Sequence, residues 1–147
     1  MSPRSILVAC DFSAPSRRAL EWARLLHARL HAAVVLVCVE EDPLAQGSFR
    51  PTQESWVGER EQGERHAFLE QRLRALCGEV FGPDEQAVQT KVVSGRAADR
   101  IVDVALEAGC DLVIAGSSGK NAVDRVLLGS TTHELVRACP LPVMVVH

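Results

Sequence analysis

The chain has 147 residues, about one domain, and is long enough to fold around its own core without disulfides or metal. A hydrophobic share of 47% against 24% charged residues excludes a disordered chain. Sixteen Lys and Arg against nineteen Asp and Glu, with 4% aromatics and no Tyr, give no basic or base-stacking surface, which argues against nucleic acid and anionic membranes as partners.

The chain opens with a short aliphatic run over residues 5–10 that ends in Asp11-Phe12-Ser13. The run is too short for a signal-peptide core, and no later apolar run approaches the roughly 20 residues of a membrane span. A helical stripe follows at Ala19, Ala23, Leu26 and Leu30, within a helix predicted over 16–30. Residues 33–39 are a second strand, nearly all Val, Leu and Cys. Such β-branched runs suit strands covered on both faces, as in a parallel sheet.

Residues 41–63 break the rhythm with Pro43, Gly47, Pro51, Gly58 and Gly63 among charges, and read as a surface loop or lid. Phe49 and Trp56 inside it either pack the loop down or cover a ligand. Leu69, Leu73, Leu76 and Val80 form the second helical stripe, with Glu59, Arg60, Glu61, Glu64 and Arg65 as a solvated face before it. A third strand is expected over 86–93. A third helix carries Ala97, Ile101, Val104, Ala105 and Ala108, and Gly109 stops it. Residues 112–115 are the fourth strand. The last helix, from about Ser130, carries Thr132, Leu135, Val136 and Cys139 and ends at Pro140; residues 143–146 are the fifth strand. The order β-α-β-α-β-α-β-α-β is that of a single doubly wound α/β domain over 1–147, helices on both faces of a parallel sheet.

Chemistry concentrates after the fourth strand. Gly116-Ser117-Ser118-Gly119 is followed by nine residues beginning with Lys120, and then Gly129-Ser130-Thr131. Glycines let the backbone approach a ligand, a helix start offers unbonded N–H groups to an anion, and the hydroxyls add donors. This is neither a Walker A loop nor G-x-G-x-x-G, and taken alone it could be a turn followed by a helix cap. In a 3-2-1-4-5 sheet the ends of strands one and four face each other at the switch point, where open α/β sheets bind ligands. Asp11 could then accept hydrogen bonds from a nucleoside while the glycine loop holds phosphate. Asp11 could equally cap the first helix with Ser13.

His27 and His31, four apart on a helix, lack a third metal ligand and read as solvent-exposed. The five cysteines read as small core hydrophobes in a reducing compartment. Cys10 and Cys38, each just before a candidate site residue, read as core packing in preference to a redox pair.

Gly116-x-x-Gly119-(nine residues)-Gly129-Ser130 resembles the ATP-binding pattern of the universal stress protein family. Val8 to Ser13 is similar to that family's opening strand and acidic turn. Val92-x-x-Gly95 with Asp111-Leu112-Val113, and Cys139 to Val146, are similar to its later strands, so the resemblance spans the chain. It implies an ATP-binding (or ADP- or AMP-binding) regulatory module for stress survival, usually a cytoplasmic homodimer, with Mg or Mn accompanying the nucleotide. Asp11 and the backbone of Val39 would hold the adenosine part, Ala9 and Ala115 would line its pocket, and Gly116, Gly119, Lys120, Gly129, Ser130 and Thr131 would hold ribose and phosphates. Ser118 stands where many members have His or Arg, and Lys120 where Arg is common. The rival readings are a slow ATP-hydrolysing enzyme of the same fold and a nucleotide-free dimeric scaffold. The C-terminal strand is expected to be the dimer edge.

Overall fold

A computed structural model describes residues 2–41, 55–118 and 128–147, the side chains of 55–59 excepted. Its elements are β1 (Ser5–Ala9), α1 (Ala14–Leu30), β2 (Ala33–Glu40), α2 (Ser55–Phe81), a 3-10 helix (Gly82–Ala87), β3 (Val88–Ser94), α3 (Ala97–Glu107), β4 (Leu112–Gly116), α4 (Ser130–Ala138) and β5 (Val143–Val146). The strands form one sheet in the order β3-β2-β1-β4-β5. Every pairing is parallel, with Leu7 opposite Val35 on one side and Val113 on the other.

Period-two alternation splits the strands between two cores. Ile6, Val8, Val34, Leu36 and Ile114 face α1 and α2, where they meet Leu20, Leu73 and Phe81. Leu7, Val35, Val37 and Val113 face α3 and α4, where they meet Ile101, Val104 and Leu135. Burial on both sides explains why β1 and β2 read as unbroken apolar runs.

The helix ends are set by local chemistry. Ser13 caps α1, its Oγ accepting from the Ser16 N–H at 3.3 Å. His31 closes the same helix in the left-handed conformation (φ 55) and donates its N–H to the His27 carbonyl. His27 is half-buried, which corrects the solvent-exposed reading. Its Nδ1–H donates to the Ala32 carbonyl at 2.8 Å, and its ring meets Phe81 edge-on. Gly109 ends α3 with φ 64, as expected.

The starts of α1, α2 and β3 differ from the sequence reading, α1 beginning two residues early at Ala14. Helix α2 begins at Ser55, so residues 55–63 are helical where the sequence predicts a loop over 41–63; residues 42–54 of that expectation lie outside the described residues. Gly63 sits within the helix facing open space, where a Cβ would meet nothing within 4 Å and glycine costs only about 1 kcal/mol. The flanking Glu and Arg residues are good helix formers, and Glu40 at the end of β2 faces Arg65 Nε and His66 Nδ1, each at 3.7 Å. Strand β3 begins at Val88 because Gly82 (φ 56) and Pro83 turn the chain through the 3-10 helix first. Phe49 lies outside the described residues, and Trp56 lies near the start of α2.

Asp111 clamps the amino ends of β1 and β4. Its carboxylate accepts from the Arg4 N–H at 2.9 Å and the Ser5 N–H at 3.2 Å. The Arg4 N–H, backed by that of Ser5, holds the Asp111 carboxyl below its usual range. The stabilisation is complete above the ordinary aspartate pKa and is lost as pH falls through the depressed folded value. Asp111→Ala is expected to cost about 1 kcal/mol near neutral pH, the low end for bonds to a charged group because the clamp is exposed. Urea melts of both proteins should show that gap closing as pH falls below the ordinary aspartate pKa.

Candidate functional site

The carboxyl ends of β1 and β4 meet at the turn into α1. Asp11 is exposed there, and its Oδ1 accepts from the Ser13 N–H at 2.9 Å. One such bond leaves most of the carboxylate's acceptor capacity for a ligand. The capping alternative is therefore divided: Ser13 caps α1, and Asp11 braces the turn that presents Ser13. Phe12 sits between them with φ 63, a conformation rare for a bulky residue. The Arg72 guanidinium lies 4.1 Å from the centre of the Phe12 ring.

Beside this turn is a cleft of about 230 Å³ lined by Asp11, Phe12, Cys38, Val39 and Leu69. It lies at the carboxyl ends of β1 and β2 under the flank of α2. Asp11 and Val39, singled out from the sequence, therefore share one concavity. Phe12 and Leu69 were missed, as was Arg72 beside them. The available signals were the position of Phe12 directly after Asp11 and the helical spacing of Leu69 and Arg72.

The remaining candidates sit on the β4 side. Ala115 is buried in the core toward α3 and α4, and Ala9 packs against the same cluster. Gly116 is pressed against the start of α1. A Cβ there would lie 2.7 Å from Ser16 N and 2.8 Å from Pro15 C and Cβ. The Gly116 carbonyl accepts from Thr132 Oγ1 at 2.6 Å. Ser117 donates its N–H to the Val146 carbonyl at 2.7 Å, and its own carbonyl accepts from the Gly129 N–H at 2.8 Å. The Ser13 hydroxyl reaches the Ser118 carbonyl at 3.4 Å, which joins the two turns across the switch point.

Gly129 is the N-cap of α4. Its N–H is committed to Ser117, so the donors at this helix start are the next three N–H groups, those of Ser130, Thr131 and Thr132. The first intrahelical bond is from His133 to the Gly129 carbonyl. Ser130 is exposed and Thr131 half-buried. Gly119 and Lys120 lie outside the described residues.

The arrangement offers an acidic acceptor and an apolar wall on one side of the switch point, and hydroxyls with N–H groups that have no partner among the described residues on the other. Among the described residues no cluster of three or more His, Cys, Asp or Glu side chains could hold a metal ion. No described helix is long and apolar enough to cross a membrane.

Comparison with known proteins agrees with this fold. The family model described as the universal stress protein family matches residues 3–147. The chain is 34% identical over 145 residues to a universal stress protein of Mycolicibacterium smegmatis, covering 97% of this chain and 47% of that protein. The chain thus spans about half the length of that relative and of the mycobacterial ones matched at similar extent. A universal stress protein of Thermus aquaticus is 31% identical, with 97% of this chain and 98% of that protein covered. Among solved structures, universal stress protein UspA of Lactobacillus plantarum superposes with a TM-score of 0.74 at 25% identity, covering 100% of this chain and 99% of that one. Two more distant structures of the same fold, 20% and 21% identical, are universal stress proteins in complex with cAMP and with dAMP. A match from residue 3 to residue 147, on a parallel sheet of order 3-2-1-4-5, places this chain in the universal stress protein family.

Proposed function

We propose that this domain binds an adenine nucleotide, ATP or its di- and monophosphates, and uses the bound state to bias a dimer or partner surface in the cytoplasm. The observation that carries the reading is the shared cleft of Asp11 and Val39, at a turn that Ser13 ties to the end of β4 through the Ser118 carbonyl. Asp11 accepts hydrogen bonds from the nucleoside, and the Val39 backbone and Leu69 side chain form the wall against the base. The N–H groups of Ser130, Thr131 and Thr132 and the Ser130 and Thr131 hydroxyls receive phosphate, favoured by the helix dipole. The chain's own carboxylates form no metal cluster among the described residues, so Mg or Mn would be carried mainly by the phosphates. The cAMP and dAMP complexes of two family members fit this ligand class. Calorimetry with ATP and magnesium at about 100 μM protein, suited to a weak site, should register binding. Silence from folded protein without copurified nucleotide overturns the proposal. A nucleotide can act as a switch only through a difference in its affinity for two states.

The surface most suited to respond is the β5 edge. β5 pairs only with β4 among the described strands. The Pro142 and Val146 carbonyls accept from β4-side N–H groups. By the alternation of a strand, the peptide groups of Val143 and Val145 therefore point away from β4. An open apolar edge invites pairing, and antiparallel pairing about a twofold axis satisfies both copies at once. Val145→Pro removes an outward donor and leaves the β4 ladder intact. Light scattering at micromolar concentration should show a dimeric wild type and a largely monomeric variant. A variant as dimeric as the wild type rules out this edge.

A further inference from the structure

The floor of the cleft holds chemistry that nucleotide binding does not use. Cys38 is one of the five residues lining the cleft. Ala9 stands opposite Val37 in the β1–β2 ladder. The Cys10 N–H donates to the Val37 carbonyl at 2.8 Å, so the pairing runs on and sets Cys10 opposite Cys38. Both side chains lie in the core cluster toward α1 and α2, on one face of the sheet. Neighbouring strands are about 4.8 Å apart, inside the roughly 4.4–6.8 Å separation of Cα atoms that a disulfide spans. All five cysteines are thiols in this structure.

We propose that Cys38 is an oxidation site in the floor of the cleft and that Cys10 is its resolving partner, with hydrogen peroxide or another small hydroperoxide as the oxidant. In the first step the Cys38 sulfur, as thiolate, attacks one peroxide oxygen. The O–O bond breaks, the leaving oxygen takes up protons and departs as water (or as the alcohol of the hydroperoxide), and Cys38 becomes a sulfenic acid. In the second step the Cys10 sulfur gives up its proton and attacks the Cys38 sulfur. The S–O bond breaks, and hydroxide leaves with that proton as water. Two thiols lose two electrons in all, and the peroxide gains them. The order of attack follows from position. Cys38 meets the cleft, whereas Cys10 lies beneath the turn with its Sγ 4.0 Å from Ser16 Oγ. Burial, above all other influences, pushes the Cys10 thiol up, which keeps it protonated and disfavours it as the first nucleophile. The link would tie together the strand ends that carry Asp11 and Val39, and so reshape the floor against which the base is placed.

Peroxide treatment of the full chain, followed by intact-mass measurement and peptide mapping, tests this. The expected product has lost two hydrogens, yields a peptide joining Cys10 to Cys38, and reverts with dithiothreitol. Cys10→Ser should instead accumulate a single added oxygen on Cys38, and Cys38→Ser should leave Cys10 unmodified. Folded wild type that yields no joined peptide overturns the proposal, as does oxidation that reaches Cys139 and spares Cys38. A further arm rests on the nucleotide reading: ATP with magnesium should slow oxidation of Cys38 several-fold. A joined peptide that forms at the same rate with and without ATP supports the cysteine pair and counts against the cleft as the base site.

Discussion

Gly116→Val is expected to lower the unfolding free energy by about 3 kcal/mol, the upper part of the usual range for forcing volume into a packed interior. The expectation rests on what surrounds the missing Cβ. At 2.7 Å and 2.8 Å it would meet the Ser16 nitrogen and the Pro15 carbonyl carbon, which are backbone atoms of the first turn of α1. No rotamer change can move them. Relief would require α1 to back away from β4, and α1 also packs against β1 and caps itself through Ser13. The two Cγ atoms of valine add to the crowding, so Gly116→Ala should cost less than Gly116→Val. A loss of this size is a large part of the roughly 5–15 kcal/mol that holds an ordinary domain folded. Urea denaturation followed by circular dichroism measures it. A valine variant within about 0.5 kcal/mol of wild type, the scale of a neutral surface change, would show that the close approach is not required.

Gly116 also shows where sequence reasoning stops. Its place after an apolar strand and before a second glycine reads as a ligand-approach signal. The structure puts the start of α1 against the missing Cβ. Spacing cannot tell a glycine that admits a ligand from one that admits a helix, because the partner comes from about 100 residues away in the chain. Gly129 carries the same ambiguity at its N–H, which is spent on Ser117 inside the protein. The helix start still offers donors, displaced to the following residues.

The strand and helix order was legible because both cores are built by local periodicity. Val34, Leu36 and Cys38 alternate with Val35 and Val37 between two apolar environments, and such a strand has no polar side to misread. The segment after β2 was less legible. Gly58 and Gly63 look like loop punctuation, yet α2 extends through both, since one glycine costs a long helix only about 1 kcal/mol. The Asp11–Val39 pairing could be reached from topology and family resemblance. The Leu69 wall and the Arg72–Phe12 stack could not, since they depend on how α2 lies across the sheet.

Asp11→Ala is expected to weaken adenosine and ATP alike, by roughly ten- to a hundredfold, the equivalent of one or two hydrogen bonds to a charged acceptor. Equal loss for the two ligands follows from position. Asp11 lines the cleft proposed for the nucleoside, while the phosphate donors belong to the separate start of α4. Ser130→Ala with Thr131→Ala should show the opposite pattern, weakening ATP and sparing adenosine. The alanine at position 11 also removes the acceptor of the Ser13 N–H, a bond that braces the cap of α1, so a stability loss of about 1 kcal/mol should accompany it. Asp11→Asn separates the two effects. Its side-chain carbonyl can still accept from Ser13, which keeps the turn, but the negative charge is gone and one side of the group now donates. The asparagine variant should therefore melt like the wild type and bind less tightly than it. Competition titrations with both ligands on the wild type and the three variants give the comparison. An alanine variant with wild-type affinity for adenosine would move the nucleoside away from β1, and a loss confined to ATP would place Asp11 on the phosphate side of the site.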